Sequence, residues 1–82
     1  MNLSKNWDLR VNLDVLKFLR KISQREAGSI LYTIRLLPTN PYFGDIQKMR
    51  GEENVWRRRI GSYRLFYKIQ TVDKIVLVFH IE

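Results

Sequence analysis

The spacing of hydrophobic and polar positions changes along the chain, and each change marks an element. Over residues 7–11, Trp7, Leu9 and Val11 alternate with Asp8 and Arg10, the two-residue period of a half-buried strand. Val15, Leu16, Leu19 and Ile22 then recur at helical spacing, with Phe18 broadening the stripe and Asn12 or Asp14 available as the cap. Ser23-Gln24-Arg25-Glu26 has the form of a capping box, in which a serine and a glutamate three residues on satisfy orphan backbone donors. A second helix begins there. Ala27, Ile30, Leu31, Ile34 and Leu37 carry its apolar stripe, and Pro38 prevents its extension. Two consecutive amphipathic helices with a tight break predict a helical hairpin.

Asn40-Pro41 and Gly44 mark residues 39–44 as a loop, with Tyr42 and Phe43 tucked beneath it as anchors. Strand patterns follow over 46–50, 55–60, 63–69 and 74–81. They are separated by Gly51-Glu52-Glu53-Asn54, Gly61-Ser62 and Thr71-Val72-Asp73. This order predicts an α+β fold, with an N-terminal strand and a helical hairpin packed on one face of a mainly antiparallel β-sheet.

Composition narrows the reading without redirecting it. With 82 residues, 45% of them hydrophobic and 12% aromatic, the chain suits one domain over 1–82 with a modest core. Cysteine is absent, which excludes disulfides and thiolate metal sites. His80 lacks neighbouring ligands, and Asp45, Asp73 and the glutamates sit in turns without ligand spacing, so neither metal nor cofactor is expected. Glu52 and Glu53 solvate a turn rather than forming a catalytic pair, and the glycines stand singly rather than in a phosphate-binding loop. No stretch approaches the roughly 18 apolar residues of a membrane span, and residues 1–10 do not resemble a signal peptide. A cytoplasmic location is expected.

Charge changes the picture more. The net charge of +7 favours polyanions or acidic proteins as partners. Arg57, Arg58, Arg59 and Arg64 lie within eight residues. If Gly61-Ser62 is a two-residue hairpin turn, Ile60 pairs with Tyr63, Arg59 with Arg64, and Arg57 with Phe66. Trp56, Ile60, Tyr63, Leu65 and Tyr67 then face the helices, and Arg57, Arg59 and Arg64 face away. Arg58 falls on the core side, where it is expected to snorkel at the sheet margin. Pairing Ile69 with Ile75 in the next hairpin puts Ile75, Leu77, Phe79 and Ile81 on the core side and His80 opposite Arg64. The only histidine would then lie among the outward arginines, flanked by Phe66 and Lys68, with Lys48 or Arg50 supplied by the preceding strand. An imidazole in such a position is often simply solvated. Like charges directly across a sheet repel, and no acid in this half of the sequence is placed to separate Arg59 from Arg64. The face therefore reads as an anion-binding surface, the alternative being an exposed face that keeps the protein soluble.

Asn40-Pro41, Gly51 and the run Trp56-Arg57-Arg58-Arg59-Ile60-Gly61-Ser62-Tyr63-Arg64-Leu65-Phe66-Tyr67 together resemble the signature of the RelE/ParE toxins, most closely their RelE branch. The likeness covers nearly the whole chain, and Arg58 departs from it by replacing an apolar residue. It implies a prokaryotic type II toxin held inactive by a cognate antitoxin. In the RelE branch it further implies metal-free cleavage of messenger RNA in the ribosomal A site. By position, Arg57, Arg59 and Arg64 match the family's basic residues and become the expected catalytic set. His80 joins them as an auxiliary acid or base, because arginine is a poor proton shuttle and imidazole titrates near neutrality. Lys48, Arg50, Phe66 and Lys68 are the expected RNA-binding residues. The family commonly carries a further Arg and a terminal Tyr after the last strand. The sequence ends at Glu82, so a domain lacking that tail is expected. Two alternatives stay open: a ParE-type inhibitor of DNA gyrase, and a silent or truncated toxin that only binds its antitoxin.

Overall fold

The computed structural model describes residues 6–82. Strand β1 (Asp8–Val11) leads into helix α1 (Leu13–Leu19) and helix α2 (Gln24–Leu36). Four strands follow: β2 (Ile46–Lys48), β3 (Val55–Ile60), β4 (Tyr63–Gln70) and β5 (Ile75–Ile81). The sheet order is β1-β5-β4-β3-β2. All neighbours are antiparallel except β1 and β5, which run parallel. The helical hairpin carries the chain from β1 at one edge of the sheet to β2 at the other, and the antiparallel strands then return to place β5 beside and parallel to β1. The expected α+β architecture is the observed one.

Local signals account for the helix ends. Glu26 N–H donates to Ser23 Oγ at 3.1 Å, so the serine caps α2 as the sequence pattern requires. The return half of the box differs, because the Ser23 hydroxyl donates to the Glu26 carboxylate at 3.0 Å. Asn12 precedes α1 in extended geometry and makes no side-chain cap bond. Helix α1 is shorter than its apolar stripe, and Ile22 reaches the core from the inter-helix link.

The core lies between the hairpin and the sheet. It is built from Val15 and Leu19 of α1, Ile30 and Ile34 of α2, Leu37, and the inward positions of β4 and β5. Each such side chain stabilises the fold by about 1.5–3 kcal/mol relative to exposure. The inward residues of β4 are Leu65, Tyr67 and Ile69, as the alternation predicts.

Strand β5 departs from expectation. Ile69 pairs with Val76 and Gln70 with Ile75, and the register shifts between Phe66 and Tyr67, where Phe66 meets His80 but Tyr67 meets Val78. The inward residues are thus Val76, Val78 and Ile81, the first two wholly buried. Ile75 and Leu77 pair with Gln70 and Lys68 on the opposite face. The turn over 71–74 is one residue tighter than expected, which moves the pairing by one and turns Val76 and Val78 inward. The bulge then adds a residue and reverses the alternation again, so Ile81 faces the core as expected. Among the described residues, no helix is long and apolar enough to cross a membrane.

Tyr67 ties the sheet to the 39–44 loop: it is wholly buried, and its hydroxyl donates to the Pro41 carbonyl at 3.1 Å. Burial pushes its pKa up to about 12, against a smaller opposing effect of the nearby Arg58 charge. The folded state thus holds the phenol protonated, a contribution fully present below pH 10 and lost as pH rises toward 12. Tyr67→Phe should cost about 1–2 kcal/mol in urea unfolding at pH 7. The wild-type advantage should disappear between pH 10 and 12, which unfolding of both proteins across that range will check.

Candidate functional site

The β3–β4 hairpin carries the charge cluster, and its turn sets the register. Gly61 has φ +60°, while Ser62 does not enter the positive-φ region, the pattern of a II′ turn with glycine first. The turn's twist matches the strands, and Ile60 pairs with Tyr63, Arg59 with Arg64, and Arg57 with Phe66. Trp56, Ile60, Tyr63, Leu65 and Tyr67 accordingly join the core. Arg57, Arg59 and Arg64 stand on the other face, where they line a depression of about 300 Å³ together with Asp45 and Gln47.

Each arginine is held by a neighbour. Arg57 donates to the Gln47 side-chain oxygen across the β2–β3 pair. Nε and Nη2 of Arg59 both lie 3.1 Å from one oxygen of Asp45, and Arg59 N–H donates to the Asp45 carbonyl at the same distance. Arg64 Nη2 lies 3.3 Å from Glu82. The expectation that no acid would separate Arg59 from Arg64 is therefore corrected: Asp45 and Glu82 flank the pair from either side. Neither was visible as a partner in the sequence. Asp45 reads as a turn residue, and Glu82 lies 18 positions from Arg64, so only the folded sheet joins them.

His80 is exposed on this same face, opposite Phe66 rather than opposite Arg64 as the expected register had it. Its ring centroid lies 5.4 Å from that of Phe66 at a 50° tilt. Contact with the arginines runs through Glu82, whose carboxylate lies 3.0 Å from His80 Nε2. Lys68 is exposed two positions beyond Phe66, paired with Val55 and Leu77. The outward face is thus basic at one end and apolar toward Val55 and Leu77.

Two expected residues lie elsewhere. Strand β2 ends at Lys48, which pairs with Trp56 and so points to the helix side, while Gln47 holds the position beside Arg57. Arg50 falls in the following turn and lines a separate shallow depression with Lys48, Glu52 and Glu53. The strand expected over 46–50 is two residues too long, which leaves Arg50 in the turn; Lys48 is within the strand but alternates onto the helix side with Ile46.

Arg58 faces the core side as expected, and its role there is structural. Its guanidinium carbon sits 4.3 Å from the Phe43 ring centroid, and Nη1 donates to the Phe43 carbonyl at 2.8 Å. Gly44 makes this possible: its φ is +86°, and a Cβ there would lie 2.3 Å from the guanidinium carbon. Among the described residues, no three His, Asp or Glu side chains converge to hold a metal ion.

Three guanidiniums converging on one depression, each held by a hydrogen bond or an ion pair, have a charge and donor arrangement that suits a tetrahedral oxyanion such as phosphate. The family described as "ParE toxin of type II toxin-antitoxin system, parDE" matches residues 6–82. The chain belongs to this family, and it is a toxin of a type II toxin–antitoxin system within the RelE/ParE superfamily. Over 75 residues it is 28% identical to the toxin candidate RelE1 of Methanocaldococcus jannaschii, covering 88% of this chain and 83% of that protein. Among solved structures, the archaeal RelE–RelB complex from Pyrococcus horikoshii superposes with a TM-score of 0.82 at 21% identity, covering 94% of this chain and 93% of that one. The RelBE2 toxin–antitoxin complex of Mycobacterium tuberculosis gives 0.79 at 20% identity, covering 94% and 96%. At such identities the structural likeness concerns the fold.

The division of the arginines predicts a division of effects. Arg58→Ala should lower stability by about 1–2 kcal/mol, through loss of its stacking and its bond to the loop carbonyl. Arg57→Ala and Arg64→Ala, at exposed or half-exposed positions, should change it by less than about 1 kcal/mol. Urea-unfolding midpoints of the three variants check this.

Proposed function

We propose that this toxin is an endoribonuclease that cleaves messenger RNA on the ribosome without a metal ion, and that a cognate antitoxin neutralises it. The observation that carries the reading is the convergence of Arg57, Arg59 and Arg64 on one depression, with His80 joined to Arg64 through Glu82. Cleavage through the 2′-hydroxyl needs that oxygen deprotonated, the phosphorane charge stabilised and the leaving 5′-oxygen protonated. The three arginines suit the second task. Their charge is permanent, and their planar donor sets match phosphate oxygens. His80 suits proton transfer as an auxiliary acid or base.

The surrounding face suits RNA. Phe66, between Arg57 and His80 in the register, offers an aromatic surface for an unstacked base, and Lys68 extends the basic track for the backbone. Lys48 and Arg50, outside this face, add long-range attraction to the polyanion rather than contact at the scissile phosphate. The RelE proteins of Pyrococcus horikoshii and Mycobacterium tuberculosis were solved as complexes with their antitoxins, which supports a similar partner here. An acidic or amphipathic antitoxin would complement the basic face.

A second reading is favoured by the ParE description of the matching family: inhibition of DNA gyrase, which requires no nuclease centre. The two separate on induction in cells. Messenger breaks at A-site codons accompany the first, and altered DNA supercoiling with an SOS response accompanies the second.

Arg64→Ala should reduce cleavage of messenger on programmed ribosomes by about 10²-fold, the usual cost of removing one donor to a developing oxyanion. Toxicity should fall in parallel. Wild-type cleavage by this variant, measured by primer extension, would overturn the assignment.

A further inference from the structure

Glu82 carries no chemistry in the reading above, yet its carboxylate touches two groups that do. Oε1 lies 3.0 Å from His80 Nε2, and Oε2 lies 3.3 Å from Arg64 Nη2. The backbone holds it there. Arg64 N–H donates to the Glu82 carbonyl at 2.8 Å, and Glu82 N–H donates to the Arg64 carbonyl at 3.0 Å. Residues that exchange both bonds stand directly opposite in an antiparallel ladder, with side chains on one face. Glu82 thus flanks Arg64 from the β5 side, while Arg59 flanks it from β3. His80, two residues before Glu82, shares the face.

A carboxylate accepts hydrogen bonds and donates none, so the His80 nitrogen facing it carries the proton. We infer that Glu82 is a positioning residue for RNA cleavage: it holds His80 in the Nε2–H form with Nδ1 free for proton transfer, and it holds Arg64 in place until RNA phosphate displaces the carboxylate. The inference rests on the endoribonuclease reading and adds a residue to it. The three side chains are about half exposed, at 51% for Arg64, 52% for His80 and 48% for Glu82. Exposed pairs of this kind contribute little to stability, so the fold does not depend on this carboxylate. A fixed anion beside Arg64 also competes with the incoming phosphate. Its removal should therefore act oppositely on binding and turnover.

The test uses the full chain with Glu82→Ala and Glu82→Gln on programmed ribosomes. For Glu82→Ala, kcat should fall at least about 10-fold while KM stays level or falls, because the competing anion has gone. Glu82→Gln, whose amide oxygen still accepts from Nε2–H, should recover part of kcat. In the free protein, the ring-nitrogen NMR signals of the single histidine should report the Nε2–H form in the wild type and in Glu82→Gln. In Glu82→Ala they should report a mixture with Nδ1–H. An unchanged or raised kcat in Glu82→Ala overturns the inference, as does an unchanged tautomer ratio. If the wild type cleaves no RNA, the endoribonuclease reading fails by itself, and the tautomer ratio alone then supports or overturns the positioning of His80 by Glu82.

Discussion

The two-residue turn at Gly61 and Ser62 sets which way every side chain of the central hairpin points. With glycine in the positive-φ position, the strands leave the turn with Ile60 opposite Tyr63, and the period of two then runs without interruption to Val55 and Lys68. Five apolar side chains enter the core, and three arginines leave it on the other side. Shifting this pairing by one residue would drive those arginines into the helices and expose the aromatic residues, a cost no surface interaction could offset. Burial therefore enforces the arginine cluster: its geometry follows from where the hydrophobic residues must go.

Electrostatics then refines what packing imposes. Arg59 and Arg64 face each other directly, an arrangement that is unfavourable alone. Asp45 on one side and Glu82 on the other relieve it, and Gln47 orients Arg57. All of these contacts are solvent-accessible, so they contribute little to stability and remain open to displacement by a stronger anion. That combination suits the proposed function: the guanidiniums are oriented in advance, and the groups orienting them can be displaced by a phosphate. Arg58 shows the contrasting case. It stands in the same strand, but Phe43 and the loop at Gly44 enclose it, and it serves the fold.

Much of this was legible in the residues themselves. The elements, the helical hairpin and the β3–β4 register follow from apolar spacing and one turn dipeptide, because these are local signals of burial. The β4–β5 register was not legible, since the 71–74 turn sets the pairing one residue away from Ile69 with Ile75 and the bulge between Phe66 and Tyr67 shifts it once more. Alternation gives no direction there: Ile75, Val76, Leu77 and Val78 suit either face equally well. Arg50 lies off the outward face because strand β2 ends at Lys48, and Lys48 because it alternates onto the helix side with Ile46. The carboxylates were missed for a different reason. Asp45 and Glu82 meet their arginines across 14 and 18 positions of sequence, and no pattern in one sequence reveals contacts made only by sheet assembly.

Internal attack of the RNA 2′-hydroxyl on a phosphate held by arginines is the central claim, and the chemical ends of the fragments test it most directly. Messenger RNA cut on programmed ribosomes by the purified toxin should carry 5′-hydroxyl ends, and the upstream fragments should end in a 2′,3′-cyclic phosphate or its 3′-phosphate hydrolysis product. Fragments with 5′-phosphate and 3′-hydroxyl ends, produced by attack of water on the phosphate, would contradict it.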